Sequence, residues 1–124
     1  MTAAEITQAI GQHLAAMTDC PEIVWPNRTT VPASLPYLTF DMAGRRTDDQ
    51  TLAGGCETVT GRAVVVVVHR LNAYASAAEG LAEAVKARFP RGQLGGLTIR
   101  QAQVLDGYRT DTDYRVPVAI DWIA

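Results

Sequence analysis

Lysine is almost missing from this chain: ten of its eleven basic residues are arginine, and Lys86 is the eleventh. GC-rich coding accounts for most such replacement, and arginine also suits fixed, bidentate pairing to carboxylates at interfaces. Aromatic residues are scarce, at 6% of the 124 residues. There is no basic excess, because the formal charge is −2 and the sequence pI about 5.6. Global attraction to nucleic acid or to an anionic membrane is thereby excluded. Only two cysteines occur, Cys20 and Cys56. They form no CxxC and have no histidine at ligand spacing, which fits two reduced thiols rather than a zinc site or a disulfide scaffold. The longest apolar run, residues 63–68, is too short to span a bilayer. No charged segment followed by an apolar one opens the chain, so a protein made and folded in a cytoplasm is expected.

What is present is the composition of one folded domain. Hydrophobic residues make up 48% and charged residues 19%, enough for one core at this length. The segment Thr2-Ala-Ala-Glu5 has capping-box spacing, and Ile6, Ile10, Leu14 and Met17 follow as one helical stripe, closed by residues 18–21. Ile23, Val24 and Trp25 predict a short strand limited by Pro26, and residues 27–36 an extended connection. Residues 37–42 alternate as a strand, with Tyr37, Thr39 and Asp41 opposite Leu38, Phe40 and Met42. Residues 44–55 are polar, charged and glycine-bearing. They read as a long functional loop or as a hairpin arm extending from the body.

The strongest strand is residues 57–70, whose five consecutive valines predict a central position with burial on both faces. Ser76-Ala-Ala-Glu79 repeats the capping-box spacing, and Ala78, Leu81, Val85 and Phe89 form the stripe of a second helix stopped by Pro90-Arg91-Gly92. Gly95 and Gly96 read as a turn before a strand at residues 97–105, with Leu97, Ile99 and Gln101 on one face. Residues 106–112 read as a turn or hairpin tip. Residues 114–123 alternate as the closing strand, which Pro117 places at an edge or a bulge. The expected fold is α+β: a single mixed or mostly antiparallel sheet, two helices packed on one face, and a long polar loop or arm, forming one domain over residues 1–124.

A search for chemistry returns nothing catalytic and calls for no cofactor. His13 and His69 have no partner at metal spacing and lie in no nucleophile motif. Asp48 and Asp49 lack the alternating oxygens of a calcium loop, and Asp106, Asp111 and Asp113 are explained by turn formation. Gly44, Gly54 and Gly55 are followed by no Lys-Ser/Thr, and Gly92, Gly95 and Gly96 follow a helix instead of opening one. Arg45 and Arg46, together with Arg62, Arg70, Arg100 and Arg109, either pair with the thirteen acids in solvent or at a subunit boundary, or line a channel. Trp25 and Trp122 read as core or interface residues.

The layout as a whole resembles the small tail-completion proteins of siphophages, the lambda-like tail terminators and their relatives in gene transfer agents. The segments that carry the resemblance are AEITQAIGQHLAAM, IVWPN, PYLTFDM, GRAVVVVVHR, ASAAEGLAEAVKARFPRG and DYRVPVAIDWIA. They cover nearly the full length and include no signature triad. The resemblance implies a non-enzymatic virion protein whose subunits form a six-membered ring at the head-proximal end of the tail tube, after assembly in the host cytoplasm. Its implied partners are further copies of itself, the tail tube protein and a head–tail connector or stopper, with DNA passing through the lumen without sequence-specific binding and no membrane involved. Arg45, Arg46, Thr47, Asp48, Asp49, Gln50, Thr51 and Leu52 are the expected interface arm. Arg62, Arg70, Arg100 and Arg109 are the expected lumen or interface arginines. Another neck ring protein, or a small ligand-binding module, would share the same residue-level features.

Overall fold

A computed structural model describes residues 2–27, 34–49, 54–55, 57–71 and 74–124. The first helix, α1 (Ala3–Ala15), starts as its spacing predicts. The Glu5 amide donates to the Thr2 hydroxyl at 3.2 Å and the Thr2 amide donates to the Glu5 carboxylate at 3.0 Å. Ile6, Ile10 and Leu14 are buried. After it come β1 (Glu22–Val24), β2 (Tyr37–Asp49), β3 (Glu57–Arg70), α2 (Ala75–Arg88), β4 (Gly92–Leu94), β5 (Leu97–Val104), β6 (Tyr108–Arg109) and β7 (Asp113–Ile123).

These strands form one sheet in the order β1-β2-β3-β7-β5-β4, with β6 also pairing with β7. Only β1 and β2 run parallel among the described pairs. Both helices lie on one face, so the fold is α+β as expected. Ile6, Ile10 and Leu14 from α1 and Ala78, Ala82 and Val85 from α2 share a core with Leu38, Phe40, Val65, Val67, Val118, Ile120 and Trp122. His13 and Arg88 tie the helices together: the His13 Nε2 donates to the Arg88 carbonyl at 2.7 Å, and the Arg88 Nε donates to the His13 carbonyl at 2.8 Å.

The valine strand is central, between β2 and β7. Its burial alternates more than a doubly covered strand would. Val65 and Val67 lie beneath the helices, whereas Val64 and Val66 are half-buried on the face no helix covers. Four other expectations need correction. The strand beginning at Tyr37 does not stop at Met42 but continues to Asp49, paired with Glu57–Val68 on both sides of a bulge, so residues 44–49 follow the hairpin-arm alternative, while residues 50–53 lie outside the described residues. The second helix begins at Ala75 after Tyr74, which makes no side-chain cap bond, so Ser76 lies inside the helix. Gln101 faces away from Leu97 and Ile99, because a bulge between Ile99 and Gln101 inserts one residue and reverses the alternation.

The fourth correction concerns Pro117, which sits in a central strand. Its carbonyl accepts from the Leu105 amide at 2.9 Å. Its ring nitrogen therefore turns toward the same side, just past the last β5–β7 rung at Val104 and Val118. Leu105 is the next position in register, so the proline leaves that pair with one bond instead of two and β5 ends at Val104, while on the other side its pairing with Val66 needs no donor from residue 117. Of the extended connection at residues 27–36, residues 28–33 lie outside the described residues.

Candidate functional site

The arm leaves the body through a second bulge. Ala43 pairs with Arg62 and Arg46 with Thr60, so Gly44 and Arg45 together oppose the single residue Gly61. Gly44 has φ +63°, the left-handed conformation that a bulge of this type assigns to glycine. Beyond the bulge, Arg46, Thr47, Asp48 and Asp49 pair with Thr60, Val59, Thr58 and Glu57. Ala124 still brackets Val59 through two backbone bonds of 2.8 and 3.4 Å, so only the outer rungs stand clear of the sheet. Gln50, Thr51 and Leu52 lie outside the described residues, as does Cys56. Arg46 pairs with Asp48 at 3.0 Å, but with both side chains well exposed the pair adds little stability. Arg45 turns back to the body: its guanidinium carbon lies 5.9 Å from the centre of the Trp122 ring, and it donates to the Ala3 carbonyl at 3.5 Å.

The other four expected arginines separate into two pairs at opposite ends of the sheet. Arg62 and Arg100 line an open recess of about 670 Å³ at the base of the arm, with Gly44, Gly61, Arg91, Asp121 and Trp122. Arg62 holds both Asp121 oxygens, at 2.8 and 3.4 Å. That bond raises the Arg62 pKa further and keeps the guanidinium charged. Arg70 and Arg109 line a second recess of about 440 Å³, with Tyr108 and Tyr114. Arg62 and Arg70 lie eight residues apart on one extended strand, a span of about 27 Å. Exposed aromatics gather at the second end: Tyr74, immediately before α2, is 88% exposed and Tyr108 is 48% exposed.

Close to that second end, a buried carboxylate fixes the turn into β7. Asp113 accepts from Arg115 at 2.9 and 3.3 Å, from the Thr110 hydroxyl at 2.6 Å and from the Thr112 hydroxyl at 3.2 Å. The Arg115 bonds, ahead of the threonine bonds, hold its carboxyl below the ordinary range against the opposing effect of burial. Turn formation therefore accounts for Asp113. Burial pushes the Cys20 thiol up, and its Sγ donates to the Pro21 carbonyl. Among the described residues, no three His, Cys, Asp or Glu side chains come together to hold a metal ion. No helix among them is long and apolar enough to cross a membrane.

Sequence reading missed Arg91 and the second role of Trp122. Arg91 passed as part of a helix stop, and its signal would have been the register shift that carries Arg100 toward it. Trp122 does belong to the core, at 1% exposure, yet it also floors the arm-base recess. Trp25 packs on α1, where a Cβ at Gly11 would lie 2.9 Å from its ring, and meets Phe40 edge-on at 5.9 Å.

No curated protein matches the chain. One solved structure, which carries no functional name, matches 99% of this chain and 95% of its own at 25% identity and a TM-score of 0.76. The family profile described as phage tail terminator protein matches residues 5–122. With an architecture of two helices on one mixed sheet, and a match running nearly end to end, the chain belongs to the phage tail terminator family.

Proposed function

We propose that, within the tail-completion role of this family of structural proteins, six copies of this chain close into a ring on the head-proximal end of the tail tube. The ring ends tube polymerisation and offers its far side to the head–tail connector or stopper. A tube grows by adding rings to an open interface, and a ring that matches that interface on one side only stops growth. Charge complementarity suppresses wrong partners at both sides. DNA passes through the lumen without sequence-specific contacts, and the protein needs no catalytic group.

The observation that carries this reading is the polarity of the molecule. One end bears the arm and the recess of Arg62 and Arg100, and the opposite end bears Arg70, Arg109 and two exposed tyrosines. A subunit that must meet unlike partners on two sides needs two unlike ends. In this assignment residues 44–56 form the arm that contacts a neighbouring subunit or the tube, and the four arginines serve the lumen or the interfaces. Deleting residues 45–54 tests it. The expected result is a folded protein that no longer joins tails or limits their length; normal tail lengths after the deletion would remove the assignment.

A further inference from the structure

Two β-bulges lie at the same end of the sheet, and each carries an arginine. In β2 two residues, Gly44 and Arg45, oppose the single Gly61; in β5 the extra residue is Arg100, between Ile99 and Gln101. A bulge re-aims a side chain that regular pairing would have sent elsewhere. Arg45 reaches the ring of Trp122, and Arg100 lines the recess that Trp122 floors. Arg91, delivered by the turn after α2, lines the same recess, as does Arg62. A Cβ at Gly61 would come within 2.5 Å of the Trp122 ring, so the bare backbone there is what lets the indole lie in place.

The charges in this recess do not balance. Asp121 is the one acid lining it, and Arg62 already occupies both of its oxygens. The side chains of Arg91 and Arg100 make no ion pair or hydrogen bond among the described residues. The Trp122 Nε1 is buried and has no acceptor among the described residues. We propose that this recess binds an acidic segment of a partner protein, with Arg91 and Arg100 donating to an aspartate or glutamate side chain beside the existing Arg62–Asp121 pair. The planar guanidinium fork matches a carboxylate in two parallel bonds, and Arg62 already binds Asp121 through two of its nitrogens in the same recess.

Protein is favoured over nucleic acid on two grounds. The recess, at about 670 Å³, has room for a few side chains, whereas a duplex presents its phosphates on a broad, stiff rod that does not enter it. The chain carries a net charge of −2, so no long-range field gathers a polyanion, and recognition here is short-range. The inference does not depend on ring formation. Of the arginines left between lumen and interface, it assigns Arg100 to an interface and adds Arg91.

The test is a heteronuclear NMR titration of the full chain at low salt, read at the Trp122 indole and the Gly61 and Arg100 amides. The probes are a short acetylated and amidated Asp/Glu peptide, its Asn/Gln counterpart and a short DNA duplex. The acidic peptide should shift these resonances saturably and the neutral one should not. The double variant Arg91→Gln/Arg100→Gln should weaken binding by about tenfold or more, while Arg70→Gln/Arg109→Gln at the far end should leave it unchanged. Absence of saturable shifts, equal binding of the neutral peptide, or stronger shifts from duplex DNA would each overturn the proposal.

Discussion

Individual residues in this fold are fixed by close approach and by one buried charge. Gly61 is the tightest case, because an added methyl would have to displace the ring of Trp122 between β3, β5 and β7. Gly61→Ala should cost about 2 kcal/mol by overpacking, seen as a lower denaturant midpoint with the slope unchanged. Asp113 supplies a pH-dependent test. Its folded carboxyl is held below the ordinary range by Arg115. Its contribution is therefore complete above the unfolded value of about 4 and is lost as pH falls through the lower folded value. At neutral pH Asp113→Asn should lower stability by roughly 1–3 kcal/mol. Melting curves of the two proteins should converge as the solution is acidified below that range, and a constant gap would contradict the assignment.

At the scale of elements, the capping box at the start of α1 forms as its spacing requires, and Thr2→Ala should cost about 1 kcal/mol in chemical denaturation. The same spacing at Ser76 failed. The chain there enters the helix at Ala75, one residue before the proposed cap, which shows that S-x-x-E spacing marks a helix start only when the approaching backbone is extended at the serine itself. Periodicity revealed α1 and the core face of β7, because burial against helices imposes it directly, whereas β3 was legible from its run of valines and its alternating burial was not. Periodicity did not reveal the continuation of β2 beyond Met42, whose residues are polar on both sides because the arm leaves the core. Nor did it show the bulge at Arg100. A single inserted residue leaves the composition of a strand unchanged and is set by pairing with β7, which no local pattern encodes. The recess therefore stayed hidden in the sequence, although Arg62 and Arg100 were visible singly. Pro117 misled for a related reason: the sequence marks the missing donor but not which neighbour it faces, and here it costs one bond at the end of β5 without barring β7 from the sheet's interior.

The whole molecule is a two-ended body with little net charge and two separate arginine recesses. Such a body interacts through local complementarity at its ends rather than through a global field. Interfaces of that kind are polar and can be small, so subunits that are separate in dilute solution can still close into a ring when a tube end holds them together. In the proposed role this ring arrests the growing tube. The direct measurement is electron microscopy of purified tail tube protein polymerising with and without this chain, with subunit number counted in end-on averages. Growth should stop when the chain is added, and one end of each tube should carry a six-fold cap. Tubes that elongate undiminished, with both ends bare in the presence of excess protein, would contradict that role.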